Sequence, residues 1–144
     1  MSNDEDEIRG VLAEFTRAIH DKDAARAIAP LSEDEVTFDL APPLKMDAAQ
    51  THDTAALDQW FDTWRGPIIS ESRDLEVAVG GDVAYAYGIQ HLTGTKRDGA
   101  EVDLWFRATA CFRREQGRWC ITHMHNSVPF AMDGTSRALL DLQP

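Results

Sequence analysis

The 144-residue sequence predicts an α+β domain, with helices first and then an antiparallel meander that they cover on one face. Two observations carry this. Apolar residues recur at three- and four-residue steps in the first half and at two-residue steps from Leu75 onward. Turn signals at Gly80-Gly81-Asp82, Asp98-Gly99 and Glu115-Gln116-Gly117 then divide the second half at hairpin spacing.

Ile8, Val11, Leu12, Phe15, Ala18 and Ile19 make one face of a helix over about residues 5–20, with Asp4 and Glu7 placed as a capping box. A short helix over 23–30 stops near Pro30. Val36 to Leu40 is a short strand ended by Pro42-Pro43. Leu57, Trp60, Phe61 and Trp64 share one face of a helix over about 53–65, capped by Asp53. Strands follow around Leu75–Val79, from Val83 past His91, over 101–113 and over 119–128. The domain is expected to span 5–130, with tails at 1–4 and 131–144, the latter an extension or a weak helix.

A chain of this size buries roughly 70% of its unfolded surface, enough for a real core without disulfides. Cys111 and Cys120 read as packing thiols in a reducing cytoplasm. The acidic MSNDEDE start lacks the features of a leader peptide, and no apolar run approaches the ~20 residues of a membrane span. The net charge of −11 argues against nucleic acid and anionic lipid as partners. A small molecule or another protein chain is expected instead.

The last hairpin carries most of the chemistry. Gln116 tolerates a positive φ poorly, so a three-residue loop with Gly117 in the left-handed region is expected. That register puts Arg107 opposite His125, Thr109 opposite His123 and Trp105 opposite Ser127. Trp119 and Ile121 would continue the same face, running from an apolar end under the first helix to a polar end in a cleft. Phe106, Ala108, Ala110 and Phe112 would then form an exposed stripe suited to a homodimer contact. The Trp60, Phe61, Trp64 stripe is either a cleft wall or plain core.

His123 and His125 lie about 7 Å apart along the strand, a spacing a metal could use only with a third ligand such as Asp39; no metal is assigned. Either histidine could instead carry a proton. Arg107 on a concave face needs an anionic partner, either Asp39 or a ligand. The expected site is thus Asp39, Arg107 and His125 converging in the cleft, with Phe15, Trp60, Trp64, Trp105, His123 and Ser127 around them.

VTFDLAPP at 36–43, Trp60-Phe61, Gly81-Asp82-Val83-Ala84, Trp105-x-Arg107-x-Thr109 and Gly117-x-Trp119…His123-x-His125-x-Ser127 together resemble the SnoaL-like, ketosteroid-isomerase-related branch of the NTF2-like superfamily. The resemblance covers about residues 5–130. It implies a cone in which a strongly curved sheet wraps a long helix and two short ones, with dimerisation through the sheet. It matches Asp39 to the isomerases' general base. The position of their oxyanion-hole tyrosine falls near Phe15, which has no hydroxyl, and that of their protonated aspartate near Thr109, so steroid isomerisation itself does not carry over. Two functions stay open. One is a small-molecule-binding domain with a polar cleft, for an apolar ligand with an anionic or carbonyl group. The other is a cofactor-free isomerase- or lyase-like enzyme with Asp39 as base, His125 as proton carrier and Arg107 as anion anchor.

Overall fold

The structure, a computed structural model, describes residues 3–144. Helix α1 runs Asn3–His20, α2 Ala24–Ile28, strand β1 Leu31–Phe38, α3 Ala48–Thr51 and α4 Thr54–Phe61. Four long strands follow: β2 Trp64–Gly80, β3 Val83–Lys96, β4 Glu101–Glu115 and β5 Arg118–Ser127. The α+β order is as the sequence predicts. The five strands form one curved sheet in the order β1-β5-β4-β3-β2, antiparallel except that β1 pairs with β5 in parallel.

The expected 1–4 tail falls partly on residues 1 and 2, which lie outside the described residues; Asn3 and Asp4 already belong to α1. Asp4 is not the cap. Its carboxylate instead accepts from Arg114 Nη1 at 2.6 Å and Trp119 Nε1 at 3.3 Å, pinning the first turn of α1 to the β4–β5 hairpin. Asp23 and Asp53 do cap their helices, accepting from the backbone N–H of Arg26 and Ala56. Helix α4 stops at Phe61, short of the expected 65. Thr63 donates its hydroxyl and its N–H to the Trp60 carbonyl, and Trp64 opens β2. Gly66-Pro67 and the charged stretch before Leu75 mask the first half of β2 in the sequence. Residues 129–139 form no helix but a small loop closed by Ala131 N–H on the Arg137 carbonyl.

The helices cover only one face of the sheet, the inner face. Beneath the first half of α1, Ile8 meets Ala84, Ala86, Ala110, Phe112, Trp119 and Ile121 in one core. A second core lies at the other end, where Phe61, Trp64 and Ile68 pack with Ala24, Ile19 and Leu92. Phe106, Ala108, Ala110 and Phe112 therefore face the helices and are not an exposed stripe: Ala110 and Phe112 pair with the core residues Ala86 and Ala84, and Phe106 and Ala108 follow on the same face.

The reason lies in the last hairpin. Glu115 pairs with Arg118, so the turn has two residues, with Gln116 at φ 53° and Gly117 at φ 78°. Arg114 pairs with Trp119 and Phe112 with Ile121. A register shift then leaves Thr122 unpaired, and Cys111 pairs with His123. The bulge reverses the alternation, so Trp119 and Ile121 point inward while His123, His125 and Ser127 point outward.

Candidate functional site

Between the two sealed cores, the inner face is only half-buried. Leu104, Phe106 and Ala108 of β4, Gln90 of β3 and Met124 and Asn126 of β5 line this stretch, on the side of the sheet that faces the helices. Phe15, halfway along α1 between the residues that enter the two cores, is half-buried as well. Polar groups flank the stretch. On one side Gln90 Nε2 donates to Ser72 Oγ at 2.6 Å and its Oε1 accepts from Ser70 Oγ at 3.2 Å. On the other, Asp39 Oδ1 accepts from Asn126 Nδ2 at 3.2 Å and from the Leu40 N–H at 2.8 Å.

The expected triad does not converge. Asp39 is exposed at the end of β1 and reaches inner-face Asn126. Arg107 and His125 share a face with each other, but it is the outer face, where Arg107 pairs with Ser127 and His125 with Thr109. Trp105 and His123 are on that face too. Trp105 stacks on His91 at 4.0 Å and 5°, Arg73 lies 5.9 Å over its ring, and His91 Nε2 meets Asp103 Oδ1 at 2.6 Å. His123 donates Nδ1–H to the Val36 carbonyl at 2.6 Å. The Phe38 ring meets His123 and His125 edge-on at 4.7 and 5.3 Å. Among the described residues, no group of three His, Cys, Asp or Glu side chains is arranged to hold a metal ion.

The tryptophan stripe divides. Trp64 is buried in the second core, while Trp60 stays partly exposed with its ring 5.6 Å away. Lys96 Nζ sits 4.1 Å over the Trp64 ring, and burial there lowers the lysine's pKa. Cys111 and Cys120 are both free, and burial pushes both thiols up.

Sequence reasoning missed Glu35. This carboxyl is 0% exposed and forms none of the ion pairs of the described residues. The Thr37 hydroxyl donates to its two oxygens at 2.8 and 3.0 Å. Burial pushes Glu35 above the usual glutamate range, an effect that Thr37, Thr51, His123 and His52 only partly offset. Extending the Val36–Leu40 alternation one residue back puts Glu35, Thr37 and Asp39 on one side of β1. The acidic run Glu33-Asp34-Glu35 has the composition of a solvated loop, which hides that signal.

Residues 8–131 match the SnoaL-like domain family, and the chain belongs to that family within the NTF2-like superfamily. Among solved structures it is similar to an NTF2-like protein of unknown function from Pseudomonas putida KT2440, at 32% identity and a TM-score of 0.86 over 100% of this chain and 99% of that one. A nuclear transport factor 2-like superfamily protein from Salmonella enterica shares the fold at 18% identity and a TM-score of 0.74, over 93% of this chain and 96% of that one. The association domain of C. elegans CaMKII does so at 18% identity and 0.68, over 87% and 95%. No curated protein matches. No helix of the described residues is long and apolar enough to cross a membrane.

Proposed function

We propose that this chain is a small-molecule-binding NTF2-like domain whose ligand sits on the half-buried inner face between the two cores. The observation that carries the reading is the contrast along that face: buried at both ends and only half-buried in the middle, apolar at Leu104 and Phe106 and polar at its flanks. Such a surface suits a mostly apolar ligand with a carbonyl or hydroxyl that Gln90 or Asn126 can bond. Asp39 is the rim contact in this reading, and Arg107 and His125 belong to the opposite face. A proton-transfer enzyme with Asp39 as base is the second reading. It is favoured by the Asn126–Asp39 bond, which turns the carboxylate toward the inner face, and it would need a proton partner other than His125.

A neutral solvatochromic dye such as Nile red tests the binding reading, because the net charge of −11 disfavours anionic probes. Wild-type protein should bind it saturably with a blue shift. Ala108→Trp, which fills the inner face, should reduce binding at least tenfold, and Thr109→Trp on the outer face should leave it unchanged. The reverse pattern would refute the site.

The outer face supports the proposal of a homodimer. Tyr85 and Tyr87, stacked at 6.3 Å and each about half exposed, lie there with Trp105, Ile69 and Val83. A sheet covered by helices on one side leaves such an apolar face for a partner. That the similar CaMKII domain is an association domain agrees with this reading. The cell interior, where Cys111 and Cys120 stay reduced, is the proposed setting. Light scattering should give twice the chain mass at micromolar concentration and the chain mass for Tyr87→Arg. A wild-type monomer would contradict the proposal.

A further inference from the structure

We propose that Glu35 is the latch of α3: ionisation of its carboxyl releases this short helix from β1 and opens the flank of the inner face beside Thr37 and Asp39. The device is independent of whether a ligand binds there.

Helix α3 is weakly held. It has four residues, none of them buried, and packs on β1. Its tie to the sheet is the Thr51 hydroxyl, which donates to the Glu35 carbonyl at 3.4 Å and also to Ala48 O at 3.3 Å. The segment is anchored at both ends. Thr37 and Met46 exchange main-chain bonds at 3.1 and 2.9 Å before it, and Asp53 caps α4 after it. A segment with little buried surface between two anchors opens at low free energy.

Beneath it, Glu35 combines full burial with hydroxyl neighbours alone, Thr37 on both its oxygens and Thr51 beside them, and no ion-pair partner among the described residues. That arrangement satisfies a neutral carboxyl far better than an anion, which needs water or a cation. The other titratable groups near enough to act on it are His52, at the C-cap of α3, and His123, on the opposite side of the sheet in β5. Asp47 caps the N-terminus of α3, and Asp34 turns away to Arg113. His52 is held to α3 by Nδ1 on the Ala48 carbonyl at 2.8 Å, so it moves with the helix. Hydrating the Glu35 anion therefore requires α3 to lift. The raised glutamate pKa agrees with this coupling: a proton bound more tightly in the closed form is released on opening.

Hydrogen exchange tests the latch on the intact protein. The amides of Thr51 and His52, bonded to the Asp47 and Ala48 carbonyls, report α3. Their protection, corrected for the intrinsic rate at each pH, should fall as pH rises above the ordinary glutamate range. The fall should approach tenfold per unit and level off once Glu35 is ionised in the closed form. Glu35→Gln should remove this fall. Protection that is flat in wild type, or that falls equally in the variant, would overturn the proposal. Should Glu35→Gln fail to fold, a carboxyl-carbon NMR titration of wild type decides. The Glu35 midpoint must coincide with the pH at which protection levels off, and a mismatch overturns the latch.

Discussion

Phe112→Ala should lower the free energy of unfolding by about 3–5 kcal/mol, the range for deleting a buried phenylalanine side chain. Phe112 is 2% exposed and packs within the core that Ile8 closes from above. The small neighbours Ala84, Ala86 and Ala110 cannot extend into the space it would leave. Cys111→Ala, one residue earlier and on the outer face, should cost less than about 1 kcal/mol, because only one sulfur is lost from a half-buried side chain. Urea denaturation of both variants against wild type checks this. The comparison also decides the face of β4: an equal and small effect at both positions would restore Phe112 to an exposed stripe and reject the observed register.

The stability of the wild-type protein should decline with pH through a window set by Glu35. Its pKa is raised in the folded protein, so the folded form holds this proton more tightly than the unfolded chain. The contribution is complete below the ordinary glutamate value of 4.5 and is lost as pH rises through the folded value. Within that window a single group changes stability by up to about 1.4 kcal/mol per pH unit. Glu35→Gln keeps the shape and cannot ionise, so its unfolding free energy should lack this decline and exceed that of wild type at the alkaline end. Denaturation midpoints of both proteins across the range measure it. A wild-type stability that rises through the same window, or parallel profiles, would mean that Glu35 is not held neutral.

The elements were legible wherever the hydrophobic period was unbroken. The α1 stripe from Ile8 to Ile19, the Asp53 cap and the long strands around Asp98-Gly99 follow directly from the sequence. The site was less legible because a strand's faces depend on counting every residue. Two local events upset the count. Gln116 accepts a left-handed backbone that glutamine disfavours, and Thr122 bulges out of β5. Arg107 and His125 were correctly grouped on one face, but the bulge separates that face from Trp119 and Ile121 and turns it away from the helices. Neither event leaves a signature in a single sequence. Glu35 was hidden for a different reason: burial of a carboxyl within an acidic run depends on α3, a four-residue helix too short to show a period.

The central claim is that the ligand surface is the inner face and not the histidine-bearing outer face. Methyl NMR of methionine-labelled protein during a Nile red titration tests it most directly. Met124, paired with Ala110, packs on the first core at the edge of the inner stretch, and Met132 is almost fully exposed in the loop after β5. The Met124 methyl signal should move saturably with the dye while Met132 stays in place. Saturable dye binding with an unmoved Met124 and shifted His123 and His125 ring signals would contradict the account.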